Sequence, residues 1–236
     1  MTADRHADGD DARQTAVLEA ISGRRSVRGF LAEPVPRETL EKILTVAARA
    51  PSATNTQPWR VRVLTGATRA RLSAAILAER EGGAIEPPPE YDYYPKSWPE
   101  PYLARRRALG WTLYALLGIK KGDQDAARRW QDNNFRFFGA PVGLIFTLDR
   151  KLATGSFMDV AMFVENIAVA ARAFGLDTCP QAAFAHYHAT IRRELALDEE
   201  ELVVCGMALG RADEAAPANR LESAREPLEN FAVFLD

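Results

Sequence analysis

The run Ala50-Pro51-Ser52-Ala53-Thr54-Asn55-Thr56-Gln57-Pro58-Trp59 marks the change of period on which the architecture turns. Before it, Leu40, Ile43, Leu44 and Ala47 recur at helical spacing behind Pro36, a residue suited to a first turn, and Pro51 closes the run. After it, Trp59, Val61 and Val63 alternate with arginines through Leu64, the pattern of a half-solvated strand. In between, two prolines hold a short array of amide and hydroxyl side chains that both donate and accept hydrogen bonds.

Upstream, Val17, Leu18 and Ile21 predict a helix over 15–22 that stops at Gly23, with a polar, acidic tail before it. The basic segment Arg24-Arg25-Ser26-Val27-Arg28 therefore opens just past a helix end. Its guanidinium forks and hydroxyl suit a phosphate monoester, and they equally suit a solvated basic patch. Downstream, residues 67–81 read as a helix ended by Gly82 and Gly83. Six prolines then fall between Pro87 and Pro101, too many fixed φ angles and missing donors for a helix or a central strand. Excursions of this length inside compact domains are usually lids or binding loops. Helical patterns return at 102–118 and 124–137, and Val142–Leu148 reads as a buried strand. Phe157–Phe174 is apolar on almost every side and belongs in the core; Leu176-Asp177-Thr178-Cys179-Pro180-Gln181 reads as a turn. A short helix near 189–196 and an apolar strand over 202–209 complete the pattern. Strands and helices do not alternate regularly, so the fold class is α+β rather than doubly wound.

The 236 residues are 47% hydrophobic with a net charge of −2, ordinary for a globular chain and without bulk attraction for nucleic acid. No apolar run approaches the roughly 20 residues that span a bilayer, and the first fourteen lack the order of a signal peptide. A cytoplasmic protein with no membrane or nucleic-acid partner is expected. The two cysteines, Cys179 and Cys205, form no CxxC pair, so any redox chemistry must sit on a borrowed cofactor. The three histidines form no HExxH helix; His186 and His188 read as polar residues at a helix entrance, and no metal site is expected. Neither GxGxxG after a strand nor GxxxxGK[ST] is present.

The loop 51–59 matches the mixed donor–acceptor edge of a flavin pyrimidine ring, and it also serves as a capped helix-to-strand turn. In this order and spacing, RRSVRGF, APSATNTQPW, GLDTCPQ, VVCGMALG and a late Arg-x-Pro-Leu resemble the bacterial nitroreductase family, over a likeness running from about Thr15 to the C-terminus. The resemblance implies a three-layer α+β fold, a central mainly antiparallel sheet flanked by helices, in an intertwined homodimer with non-covalent FMN at the interface. It implies one FMN-binding domain over 15–236, with 83–138 as a lid region and 1–14 as a disordered tail. Arg24 and Ser26 match phosphate contacts, Arg28 a cation near the flavin's pyrimidine end, and Arg25 a ribityl or backbone contact. Pro51, Ser52, Ala53, Asn55 and Gln57 match the loop that reaches the flavin of the other subunit; Ala53 stands where a serine is frequent. Pro180, Gln181, Ala182 and Ala183 match the loop against one flavin face, with Ala182–Ala183 in place of the familiar glutamate–glycine pair. Arg225 matches a late phosphate-binding arginine, with Ser223 where some members carry a second basic residue.

These implications describe an oxidoreductase passing hydride from NAD(P)H through flavin N5 to a nitroaromatic or quinone-like small molecule, with ping-pong order and no catalytic side chain. Tyr91, Tyr93, Tyr94 and Trp98 are the candidates to stack on an electron-poor ring, or else they cover the helices beneath. A reductive dehalogenase of the same fold clamps its substrate with a lid Glu, Tyr and Lys, and Glu90, Tyr94 and Lys96 lie too close together for that pattern. The flavin-fragmenting enzyme of cobalamin synthesis carries Asp where this chain has Ser26. Ene or quinone reduction and a non-catalytic flavin-binding homologue remain alternatives.

Overall fold

The computed structural model describes residues 4–82 and 87–235. Residues 1–3 of the expected tail, and 83–86 at the start of the expected excursion, lie outside the described residues. Helix α1 (Asp4–Ser22) begins eleven positions before the expected start at Thr15, so most of the polar tail is helical. Only Gly9 in that stretch opposes a helix, and continuing an existing helix is easier than nucleating one.

Helix α2 (Arg37–Ala47) buries Leu40, Ile43 and Ala47, the stripe read from the sequence. It leads through the loop 51–58 into strand β1 (Arg60–Thr65), which is followed by helix α3 (Gly66–Glu81). Helix α4 (Tyr102–Leu116) has no buried residue. Helix α5 (Gln124–Gln131) is shorter than the expected 124–137: the chain tightens into a 3-10 turn at Asp132–Asn134, and Phe137 and Phe138, at positive φ angles of 52° and 51°, lie outside any α-helix. Strand β2 (Val142–Asp149), helix α6 (Gly155–Arg172), strand β3 (Asp177–Gln181), helix α7 (His188–Leu195) and strand β4 (Glu201–Gly210) follow.

The four strands form one antiparallel sheet in the order β1-β2-β4-β3. Strand β3 corrects the expected turn at 176–181. Its Pro180 has no N–H for a ladder, but β3 is an outermost strand, where a missing donor costs little. The outer side of β3 is met by the basic segment: Val27 N–H donates to the Thr178 carbonyl at 3.0 Å, and Ser26 bridges Thr178 in parallel. A contact between segments 150 residues apart is invisible to local periodicity.

Two cores sandwich the sheet. Leu144, Phe146 and Leu148 of β2 point with Met207 and Leu209 of β4 towards α2 and α6, where Ile43, Phe163 and Ile167 meet them. Ile145, Val203 and Ala208, on the opposite face by strand alternation, meet Leu72 and Ile76 of α3, Ile191 of α7, and a cluster of Phe135, Phe137 and Phe184. Each fully buried Phe is worth about 2–3 kcal/mol. Gly206 makes the second layer possible, because a Cβ there would meet the Phe184 ring at 2.4 Å. The result is the three-layer α+β arrangement expected.

Candidate functional site

Asn219, buried at 5% exposure, shapes the basic segment. Its Oδ1 accepts the Arg28 N–H at 2.7 Å, its Nδ2 donates to the carbonyls of Gly29 and Asp213 at 2.8 and 2.9 Å, and its own carbonyl accepts Arg25 Nη1 at 2.8 Å. Arg25 also pairs with Glu214 at 3.1 Å, so it is committed to the C-terminal segment. Arg24 pairs with Glu165 of α6 at 3.2 Å. The Arg28 guanidinium donates only to the Ser26 carbonyl, at 3.3 Å, and has no carboxylate partner among the described residues. It leaves a cation beside the edge of β3.

The loop 51–58 sits over the first turns of α6. Ser52 Oγ accepts the Gln57 N–H at 3.0 Å, Gln57 Nε2 donates to the Asn55 carbonyl at 3.3 Å, and Ala53 N–H points at Asp159 Oδ1 at 3.4 Å. Thr54, Asn55 and Gln57 hold φ of 48°, 60° and 48°, three non-glycine residues in the left-handed region within four positions. Such local strain gathers at binding sites, where the surrounding structure holds it. Pro51, Ala53, Asn55 and Gln57 are exposed and Ser52 is half-buried, so this array is presented outwards.

Buried polar atoms without partners accompany both segments. Thr178 Oγ1 and Gln181 Oε1 are unpaired on β3, and so is Asp159 Oδ2 beneath the loop 51–58. Gln181 Nε2 donates to the Asn134 carbonyl at 2.7 Å. Beside it, Pro180 is exposed and Ala182 and Ala183 line a small pocket with Arg80, Tyr93, Tyr94, Asn134, Phe135 and His186. Among the described residues, then, Arg24–Arg28 and the strand leading to Ala182–Ala183 are brought together. Arg225 is not joined to them: it is exposed and bonds Ser223 and Ala224 of its own segment. Cys179 is buried beside Ser26, and burial pushes its thiol up to about 11, which keeps it protonated and unreactive.

The four aromatic candidates divide. Tyr91 turns inward: its hydroxyl donates to the Val204 carbonyl, its ring lies 4.8 Å from Phe157, and burial pushes its phenol up. Tyr93 and Tyr94 line the pocket, Tyr94 and Trp98 stand 5.7 Å apart, and Arg106 covers both of those rings.

Glu90 fixes this segment in place, a role the sequence did not signal. Its carboxylate meets Arg150 at 2.7 Å, Arg192 at 3.3 Å, His188 at 3.7 Å and the Val203 N–H at 3.4 Å. Burial alone would raise its pKa, but the Arg150 hydrogen bond, the charge of a protonated His188 and the Val203 N–H hold it below the usual carboxylate range. A depressed carboxylate pKa contributes stability that is present above the unfolded value, about 4.3, and is lost as pH falls through the folded value. The amides of residues 87–98 are therefore expected to lose protection, taken relative to their intrinsic exchange rate at each pH, below about pH 4, and Glu90→Gln to show that loss already at pH 7. Unchanged exchange in Glu90→Gln would sink the idea of a clasp. With its carboxylate so engaged, Glu90 is also not placed to clamp a substrate.

No cluster of three or more His, Cys, Asp or Glu side chains able to hold a metal occurs among the described residues, and no described helix is long and apolar enough to cross a membrane. What the site offers is a cation and unpaired buried oxygens along a strand edge that leads into an aromatic pocket, and, on the separate loop 51–58, an outward array of amides. That is a set for a planar polar heterocycle carrying an anionic tail.

The comparisons with known proteins agree. The chain is 43% identical over 217 residues to the chloronitrobenzene nitroreductase of Comamonas testosteroni, covering 92% of this chain and 96% of that one. It is 39% identical over 215 residues to the 4-nitrobenzoate reductase of Pseudomonas putida, covering 91% and 93%. The crystal structure of the FMN and NADPH-dependent nitroreductase NfnB from Sphigopyxis sp. strain HMH superposes with a TM-score of 0.90 at 37% identity, covering 93% of this chain and 99% of that one. The profile of the Nitroreductase family matches residues 21–211, and with these likenesses over most of its length the chain belongs to the nitroreductase family.

Proposed function

We propose that this chain is an FMN-dependent reductase of nitroaromatic compounds that takes its electrons from NADPH and works as an intertwined homodimer. The observation that carries the reading is Arg28, a cation without a carboxylate partner among the described residues, beside the strand that carries the unpaired Thr178 and Gln181 oxygens. FMN suits these residues, since its ring edge both donates and accepts and its phosphate calls for arginine. When bound, FMN supplies the hydride chemistry. The protein's part would be to hold and tune it: Arg28 would favour negative charge at the pyrimidine end, Arg24 and Ser26 would hold the phosphate, and Ala182–Ala183 would wall one face. Arg225 is assigned to the phosphate in the dimer. With one face so walled, donor and oxidant would take turns at the other, a ping-pong order, and residues 87–138 would form the lid.

The dimer is supported by apolar surface that this chain leaves uncovered. Val17, Leu18 and Ile21 of α1, Val46 of α2 and Met158 of α6 are all more than half exposed, and α1 and α2 both pack on α6. The outward loop 51–57 then reaches the flavin of the second copy, which explains why it turns away from its own chain. Relatives named for chloronitrobenzene and 4-nitrobenzoate favour a nitroarene as the oxidant.

The test is the visible spectrum of the purified protein, followed anaerobically on adding NADPH and then 4-nitrobenzoate or chloronitrobenzene. Bound flavin that bleaches and returns with the nitro compound is expected. A colourless protein that takes up no FMN would remove the reading, and a yellow one that never bleaches would leave a flavin-binding homologue without turnover.

A further inference from the structure

Nitro reduction needs a proton that hydride does not bring. Converting a nitro group to nitroso takes two electrons and two protons and releases one water. Hydride carries both electrons and one proton, so one proton is still owed to a nitro oxygen before that oxygen can leave as water. Hydrogen-bond donors at such a position commonly accelerate a reaction by about 10²–10⁴-fold.

One titratable side chain of the pocket has a ring nitrogen to spare. His186 Nδ1 lies 2.9 Å from the Pro87 carbonyl oxygen. A carbonyl only accepts, so Nδ1 carries hydrogen whether the ring is neutral or charged, and protonation changes Nε2 alone. Nε2 has no hydrogen-bond partner among the described residues, on the far edge of a ring that lines the pocket with Ala182, Ala183, Tyr93 and Tyr94. The other charged or titratable groups lining it are Arg80 of α3 and those two tyrosines. Arg80 is engaged with Asp132 at 2.7 Å and with the Tyr187 hydroxyl at 2.8 Å, which leaves it poorly placed to give up a proton. The pocket holds about 240 Å³, room for one ring with a small substituent.

We propose that His186 is a catalytic residue, its protonated ring delivering the second proton from Nε2 to a nitro oxygen of a substrate seated between Ala182–Ala183 and Tyr93–Tyr94. The N–H bond at Nε2 breaks, an O–H bond forms on the substrate, and the oxygen, once doubly protonated, departs as water to leave the nitroso product. The neutral ring keeps its Nδ1–H on Pro87 and regains a proton at Nε2 from solvent. The proposal rests on the reading of Ala182–Ala183 as a wall of the flavin face.

His186→Asn separates the two nitrogens, because the asparagine amide can replace Nδ1–H towards Pro87 while nothing replaces Nε2. In the holoenzyme, His186→Asn is expected to bind FMN, to be bleached by NADPH and to be reoxidised by ferricyanide, which takes electrons without protons, all at wild-type rates. Reoxidation by 4-nitrobenzoate is expected to slow at least tenfold and to lose its solvent deuterium isotope effect. A nitrobenzoate rate within twofold of wild type would overturn the proposal while leaving the reductase intact; a wild-type protein that does not bleach would overturn both. Independently of turnover, the chain has three histidines, so the ring ¹⁵N signals are assignable with the variant in hand. Oxidised wild-type holoenzyme should show Nδ1-protonated His186 whose Nε2 signal moves on adding 4-nitrobenzoate without NADPH. An unmoved signal counts against the placement.

Discussion

Asn219→Ala should lower folding stability by about 3 kcal/mol and weaken FMN binding at least tenfold. One side chain satisfies the Arg28 N–H and the carbonyls of Gly29 and Asp213, at 2.7, 2.8 and 2.9 Å, from a position only 5% exposed. Truncation leaves the buried Arg28 N–H without a partner, which costs about 1–3 kcal/mol, and takes a second donor from the Gly29 and Asp213 carbonyls, which keep the N–H groups of Asp213 and Ala216 at 2.9 and 3.1 Å. It also frees the backbone that aims Arg28, so the cation without a carboxylate partner loses its fixed direction. Asn219→Asp keeps the acceptor for Arg28 and loses both donors, so it should fall between wild type and alanine. Chemical denaturation and flavin fluorescence on titrating FMN into stripped protein measure the two quantities. Wild-type FMN affinity in a destabilised Asn219→Ala would show that Asn219 holds the fold without shaping the site.

Removing residues 228–236 should convert the dimer to monomer and release FMN with it. Leu228, Phe231, Val233, Phe234 and Leu235 are between 53% and 91% exposed, and nothing in their own chain covers them. Burying a large apolar side chain is worth roughly 1.5–3 kcal/mol, so five together represent a substantial share of an association free energy. Strand β1 lies at the sheet's outer edge, and beside it a groove of about 850 Å³ is lined by Val35, Leu40, Leu44, Val63 and Val142. In the proposed dimer the tail of a second copy would fill that groove, and covering an edge strand removes an aggregation hazard. Light scattering and the flavin spectrum of the truncated protein are the measurements. A truncated protein that stays dimeric and yellow would place the interface wholly on α1, α2 and α6.

Much of this could be read from the sequence because it is local. The stripe Leu40, Ile43, Ala47 is set by helix geometry and the short apolar run Val142–Leu148 by burial on both faces of a strand, and both appear in the structure where the sequence put them. The segments RRSVRGF and APSATNTQPW were legible because they combine residue types that suit one ligand. Strand β3 was misread as a turn because Pro180 and the polar or small residues Asp177, Thr178, Cys179 and Gln181 look like a loop until β4 pairs with them. Tyr91 resembled its neighbours in composition, yet its hydroxyl found the Val204 carbonyl and it left the pocket to Tyr93 and Tyr94.

The sequence by itself determined the class of fold and the family, and it named the residues proposed for a flavin, since periodicity and motif spacing need only the order of the chain. Only the tertiary structure decided which of those residues are free to act. Arg25 is bound to Asn219 and Glu214 while Arg28 has no carboxylate partner, and Glu90 is held by Arg150, Arg192 and His188. Whether a charge is spent on a neighbour or left for a ligand depends on contacts between segments 60 to 194 residues apart, and distances across folded space are set by packing rather than by position in the chain.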